Sequence, residues 1–410
     1  LNIAFFIAKR IAFNQQQSFS RFIIRLTVAA TAVSVAAMII TLAFVNGFQH
    51  AVSEKVFSFW GHIRIQVYEP GKSLVAEETP LEKNDSAIAV VQKIEGINKI
   101  QAFATRSAVI EKNKEIEGIL FKGVEAGYEF QRLQPFLKSG RWINFSDSVY
   151  QREIVIAQPA AVLLKVKVGD SINIHFIDAE QGRSSSRKLL VAGIFKTGIE
   201  EYDKLFAIGD IRLIQRLNNW NDKVIGGYEV FIDDYRHLDL INNQLYDQLP
   251  DAWVSKTVKE VYPNIFDWLN IQNVNRDVIF SVMSVVTLIN MISCLLILVL
   301  ERTRMIGILK ATGATDSLIK KVFLYQSGYI ALVGTITGLV VGAGLALLQQ
   351  YTGFITLDET AYYVSVAPVK IVWWQVFVVC VSSLFICFQA LRLPLLVVRG
   401  MKPVKAIQFR

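Results

Sequence analysis

Few side chains in this sequence could make or break bonds, and their spacing does not suit that work. The four histidines, His50, His62, His175 and His237, are scattered without the short intervals of a zinc site. The three cysteines, Cys294, Cys380 and Cys387, all fall in uncharged stretches, where a small buried hydrophobe is their ordinary role. None lies in the long polar middle of the chain, so no disulfide framework holds that part together. Gly307 and Gly313 are one residue too far apart for a phosphate-cradling loop, and Ala314 stands where its lysine would belong. No Ser/His/Asp or paired-carboxylate arrangement can be picked out by spacing. "EQGRSSSRK" over 180–188 reads as a solvated hairpin tip. What remains is a contact chemistry, in "ERTRMIGILKATGATDSLIKK" over 301–321. There Met305, Ile306, Ile308 and Leu309 make an apolar stripe flanked by Arg302, Arg304 and Lys310. Gly313 falls where a helix ends in a left-handed residue, and Thr315 or Asp316 can cap the next helix. Such a surface helix either lies among lipid headgroups or docks into a groove on another protein.

The segments that must position this stretch are the least polar of the chain. Four windows, 26–45, 278–300, 322–348 and 371–391, carry no charge over about twenty residues or more, enough to cross a bilayer as a helix. Only 19% of residues are charged, below the quarter usual for soluble domains. The net charge of +8 is unevenly spread. Lys9, Arg10, Arg21 and Arg25 stand without an acid in 1–25; Arg302, Arg304, Lys310, Lys320 and Lys321 outnumber Glu301 and Asp316; Arg392, Arg399, Lys402, Lys405 and Arg410 close the chain without an acid. The loop 349–370 holds only Asp358, Glu359 and Lys370. By the positive-inside rule both ends and 301–321 are cytoplasmic and 349–370 is outside. The basic residues orient helices, and no nucleic-acid partner is needed to explain them. The expected order is an amphipathic cytoplasmic helix over 1–21, spans over 22–47, 278–300, 322–348 and 371–391, an exported domain over 48–277, and a cytoplasmic tail over 392–410. The first span is too long for a signal-peptide core and no small-residue cleavage site follows it, so it is expected to stay as an anchor.

The exported segment alternates apolar and polar residues in "HIRIQVYE", "REIVIAQ", "SINIHFID", "RKLLVAGIF" and "YEVFID", as half-buried strands do. Helical patterns lie between them: "DSAIAVVQKIEGI" after Asn84, "DIRLIQRLNNW", and "RHLDLINNQLYDQL" with Leu238, Ile241, Leu245 and Leu249 on one face. This mixture predicts an α+β domain, in two subdomains, on stalks formed by "FQHAVSEKVFSFW" and "NIFDWLNIQNVNRD". In the third span Gly334, Gly338 and Gly342 recur every four residues and predict close helix packing, within the chain or between two chains.

"LERTRMIGILKATGATDSLIKKVFLYQSGYIALVGTITGLVVG" resembles the signature region of the FtsX-like ABC permeases, the type VII or mechanotransmission transporters. "LAFVNGFQHAVSEKVFSFWGHIRI", "LLKVKVGDSINIHF", "VAGIFKTGIEEYDK" and "LPLLVVRGMKPVKAIQFR" are similar to the lipoprotein-releasing, LolC/LolE-type branch. The likeness runs over essentially the whole chain. It implies a membrane protein of four transmembrane helices with a large α+β, MacB-core-like periplasmic domain inserted between the first two, in a bacterial inner membrane.

The resemblance also implies a coupling helix, carried by Arg304, Met305, Ile306, Gly307, Leu309, Lys310 and Gly313, that docks on a separate cytoplasmic ABC ATPase. The working unit would hold two permease chains, identical or different, and two ATPase chains. ATP and Mg would be used by the partner and no cofactor by this chain. The implied cargo is outer-membrane lipoprotein, passed to a periplasmic carrier. Phe44, Val45, Phe48, Phe280 and Met283, at the outer ends of the first two spans, could line an acyl-chain cleft or pack helix on helix. In one of the family's two paired permeases a long proline-containing hairpin recruits the carrier; here 175–188 is short and proline-free, so this chain is not expected to recruit it. Macrolide-type efflux and a signalling module acting on a periplasmic cell-wall hydrolase are the alternatives that the superfamily implies.

Overall fold

A computed structural model of the chain describes residues 18–70, 77–112, 115–145, 150–178 and 183–390, with Ala4 and Phe6. Most of the surface helix expected over 1–21, and the tail expected over 392–410, lie outside the described residues. The chain divides into two units: Leu1–His50, Trp268–Thr356 and Val366–Arg410 make one, Ala51–Asp267 with Leu357–Ser365 the other.

The first unit is helical. Among the described residues four helices are long and apolar enough to cross a membrane. We label them α1 (Ser18–Trp60), α2 (Pro263–Glu301), α4 (Asp316–Thr352) and α5 (Trp373–Ala390), with the short α3 (Thr303–Ala311) between α2 and α4. Both α1 and α2 run well past the length a bilayer needs, at 43 and 39 residues. The three spaced glycines of α4 face α1: a Cβ on Gly338 would come within 2.6 Å of the Ala32 carbonyl oxygen, one on Gly334 within 2.9 Å of Thr31, and one on Gly342 within 2.9 Å of Ala36. The close packing that these glycines permit is therefore within one chain. Polar ties add direction. Asn290 donates to the Thr27 carbonyl (3.2 Å), Asn46 to Gln375 (2.6 Å) and Gln49 to Asn273 (2.7 Å).

The second unit is built on strands β1 (Ile63–Val67), β2 (Leu81–Glu82), β3 (Ile97–Lys112), β4 (Glu115–Val124), β5 (Leu137–Gly140), β6 (Glu153–Ala157), β7 (Ser171–Asp178), β8 (Arg183–Phe195), β9 (Phe206–Asp210), β10 (Val224–Ile225), β11 (Gly227–Ile232) and β12 (Trp253–Thr257). Ten of them form one sheet, in the order β12-β1-β11-β3-β4-β9-β6-β8-β5, with β7 joining β3 to β8; β2 and β10 pair separately. Only β4 with β9 and β6 with β8 run parallel. The 16-residue β3 is the shared beam: its first half pairs with β11, and its second half with β4 and, over Ala108–Glu111, with β7. The two expected subdomains are thus two ends of one sheet that have β3 in common.

Helices close the sheet where the sequence patterning placed them. Asn84 caps Asp85–Val91 by accepting from Ala87 N (3.0 Å), and Asp210 caps Ile211–Leu217 from Arg212 N (2.9 Å). Leu238, Ile241 and Leu245 bury one face of Leu238–Tyr246 in the main core, beside Ile63, Val230 and Ile232. Gly123 lets Ile211–Leu217 approach β4, since a Cβ there would stand 2.7 Å from the Ile211 Cα.

Candidate functional site

The stretch 301–321 folds as two helix ends and a short helix between them. The α2 helix stops at Glu301, and Arg302 leaves helical geometry at φ −98°, ψ 12°. α3 then ends in a tight left-handed cap. Gly313 adopts φ +91°, its N–H donates to the Lys310 carbonyl (3.1 Å), and the Ala314 N–H donates to the Leu309 carbonyl (2.8 Å). These two bonds satisfy carbonyls that a helix end leaves open, and glycine alone takes that backbone without strain. Thr315 caps α4 by accepting from Leu318 N (3.4 Å), while Asp316 instead pairs with Lys310 across the turn (3.0 Å).

The side chains of α3 divide into an inner and an outer set. Ile306 is fully buried against Val299 of α2 and Ile319 and Phe323 of α4, and Gly307 is buried beside it. Ile306, expected among the partner-coupling residues, anchors the helix across the two long helices, its side chain fully covered within this chain. Arg304, Ile308, Ala311, Thr312 and Gly313 are exposed, with Ile308 half uncovered; Met305, Leu309 and Lys310 are part-buried. The 304–308–311 spacing puts one apolar residue, Ile308, between a cation, Arg304, and a small residue, Ala311, on one helical face. Such a face can seat in a groove on a partner.

The proposed cargo-facing side chains pack differently. Phe280 and Met283 rest against Val35, Met38, Ile39, Val376 and Val379, which is helix-on-helix packing within the chain. Val45 is buried, and Phe44 and Phe48 are half-buried, Phe48 meeting Trp268 edge-on with ring centroids 6.0 Å apart. Phe44, Phe48, Phe280 and Met283 each keep part of their surface exposed, and Val45 alone of the five is buried.

A second constellation was not read from the sequence. At the end of α1, Lys122 of β4 donates to the Phe59 carbonyl (2.6 Å) and pairs with Glu229 of β11 (2.6 Å). All three residues are fully buried. The Tyr128 hydroxyl donates to the second Glu229 oxygen (3.2 Å). Beside them Arg64 pairs with Glu78 (2.8 Å), whose other oxygen accepts from Thr105 N and Oγ1. Both cations lie over the Trp60 ring, Arg64 at 4.1 Å and Lys122 at 4.4 Å from its centroid. Burial pulls the Lys122 ammonium below its ordinary range, and Glu229 opposes that pull. Burial and then the Glu229 carboxylate hold the Tyr128 hydroxyl well above its own. A C-terminal helix carbonyl met by a buried cation is a polar weld between the α1 end and the sheet. The available signal was an ionisable residue inside each apolar strand run, "GILFKGV" and "YEVFI".

No group of three or more metal-ligating side chains occurs among the described residues. Four helices long and apolar enough to cross a membrane, a large domain inserted after the first, and a short amphipathic helix between the second and third fit a polytopic membrane protein. The comparisons carry this to a family. Residues 25–232 match the MacB-like periplasmic core domain and residues 278–403 the FtsX-like permease C-terminal region. The chain is 20% identical to the lipoprotein-releasing system transmembrane protein LolC of Xylella fastidiosa strain Temecula1, over 96% of both chains. It is 24% identical to LolE of Haemophilus influenzae over 95% of both. The periplasmic region of MacB from Actinobacillus actinomycetemcomitans aligns with 50% of this chain and 91% of its own, at 14% identity and a TM-score of 0.34. The chain belongs to the FtsX-like ABC transporter permeases with a MacB-like periplasmic domain, and is a bacterial inner-membrane protein.

Proposed function

We propose that this chain is the transmembrane subunit of an ABC complex that extracts outer-membrane lipoproteins from the inner membrane and releases them. The observation that carries this reading is the similarity, over nearly the full length of both chains, to proteins named for lipoprotein release. On this reading both chain ends and α3 are cytoplasmic, in keeping with the clustered basic residues. The outer face of α3, Arg304 and Ile308 with Met305, Leu309 and Lys310 at its margins, seats on a separate ATPase, two copies of which serve two permease chains. ATP and Mg act there. Movement of α3 passes through Ile306 to the ends of α2 and α4, and the polar weld at Lys122 passes movement of the α1 end to the sheet. On this reading the part-exposed side chains of the outer helix ends, Phe44, Phe48, Phe280 and Met283, meet an acyl chain.

Depletion of the protein followed by membrane fractionation tests the substrate. Lipoproteins retained in the inner membrane are expected. Normal sorting with drug sensitivity would instead indicate efflux, and normal sorting with cell chaining would indicate a signalling role toward a cell-wall hydrolase. Ile308→Asp tests the partner separately: co-purification of the ATPase is lost while the permease stays folded, because the substituted side chain is exposed in the free chain.

A further inference from the structure

The loop between α4 and α5 is short and closes on itself. Thr356 and Val366 form a bridge, and Leu357 N donates to the Ser365 carbonyl (2.9 Å), so 357–365 is pinched at its neck. Its one buried apolar side chain among the described positions is Val364. Its ion pairs with the rest of the second unit centre on Glu359. That carboxylate pairs with Lys196, at the end of β8, and stands 4.0 Å from Lys55 in the last turns of α1. Lys55 in turn donates to the Tyr363 carbonyl (2.7 Å). Three segments distant in sequence therefore converge on one part-exposed carboxylate.

The receiving surface is built for that carboxylate. Gly198 has φ +78°, and any Cβ there would run into Glu359 and stand 2.8 Å from the Lys55 ammonium. The Thr197–Gly198 turn is held rigid from behind by buried Asp203, which accepts from Thr197 N (2.7 Å), Thr197 Oγ1 (2.9 Å) and Gly198 N (2.9 Å). On the loop side, Tyr363 is held at φ +60°, a left-handed conformation costly for a residue with a Cβ. A rigid, side-chain-free seat on one side and a strained loop on the other fit a contact that is made and broken. A permanent attachment would more simply be dry and apolar.

We propose that Glu359 is the bolt of a releasable latch, holding loop 357–365 on Lys55, Lys196 and Gly198 in the resting state and letting go during the working cycle. Release leaves the two lysines to water and lets Tyr363 relax. That the cycle is driven by ATP rests on the function proposed above; the latch itself does not.

Two measurements separate those statements. In full-length protein in nanodiscs, Glu359→Gln is expected to speed amide hydrogen exchange over 357–365 at least tenfold with the sheet unchanged. Unaltered exchange in the loop would overturn the latch whatever the ATPase does. In the complex with its ATPase, with Cys294, Cys380 and Cys387 replaced by alanine, Lys196→Cys with Glu359→Cys should cross-link readily without nucleotide and at least threefold less with ATP. The locked form should lose ATP-driven activity and regain it on reduction. Equal cross-linking with and without ATP, with full activity when locked, would make the contact a static brace and refute its release.

Discussion

The ammonium of Lys122 and the backbone carbonyl of Phe59 are 2.6 Å apart inside the protein core, so a β-strand side chain caps the end of a 43-residue helix. The same ammonium is 2.6 Å from Glu229, and both side chains are shut off from water. A buried pair of this kind adds little net stability compared with an apolar pair of the same size, but removing one partner strands the other. Its value is directional: the helix end cannot turn relative to the sheet without breaking a charge-assisted hydrogen bond.

Lys122→Met should therefore destabilise the domain by about 3–5 kcal/mol, the cost of an uncompensated buried carboxylate. Adding Glu229→Gln should recover most of that loss. Denaturant unfolding of the full chain, followed by hydrogen exchange in β4 and β11, measures both. Additive losses in the double variant would mean that the two side chains do not act as a pair.

The weld shows where the sequence was legible and where it was not. Strands such as β6 and β11 announce themselves through apolar residues bounded by polar ones, and α3 through its Gly313 stop and Thr315 start. The longest strand, β3, is harder to see. In β3, Gln101 to Thr105 are all buried, so both faces are covered and the period-two alternation vanishes. Nothing in the sequence establishes that Lys122 is buried, because a sequence cannot show that a helix carbonyl waits above it. The same limit applies to Ile306. Four apolar residues on a two-turn helix form a stripe, but which of them turn inward depends on Val299, Ile319 and Phe323, which come from two other helices.

That division of α3 is measurable. Ile306→Ala removes a fully buried side chain from a cluster shared by three helices and should cost about 2–5 kcal/mol locally. Ile308→Ala, at a half-exposed position, should stay within about 0.5 kcal/mol. Hydrogen exchange of the α3 amides in the full chain distinguishes them. Equal acceleration in the two variants would show that Ile306 is not the anchor.

The glycine face of α4 makes a similar contrast. Gly338→Ala forces a methyl group against the Ala32 carbonyl and the Val35 side chain and should cost about 1–3 kcal/mol. Gly344, with nothing within 4 Å of its would-be Cβ, should tolerate alanine and gain about 0.5–1 kcal/mol of helix propensity. Unfolding in mixed micelles reports both. If Gly338→Ala behaved like Gly344→Ala, α1 and α4 would not be in backbone contact.

His62 provides a prediction with a defined pH window. It lies just beyond the α1 end, stacked on Phe57 with ring centroids 4.3 Å apart, and its Nδ1 accepts from Ile232 N (3.3 Å). Burial first, and then the Arg132 guanidinium, push its pKa down from 6.5 to about 3, with Asp233 opposing. In the folded protein the ring is therefore neutral through the mild-acid range, whereas the unfolded chain takes up a proton below about pH 6.5. The unfolded state then binds more protons, so stability falls as the pH drops from about 6.5 toward 3 and stops falling on this account below that. The slope is about 1.4 kcal/mol per pH unit, which gives about 2 kcal/mol between pH 6.5 and 5. His62→Gln loses the ring stacking and should be less stable than wild type at pH 7.5, but the gap should narrow by about 2 kcal/mol at pH 5. Unfolding free energies of the two proteins at those pH values decide the matter, and a gap independent of pH would mean that His62 can charge without leaving its place.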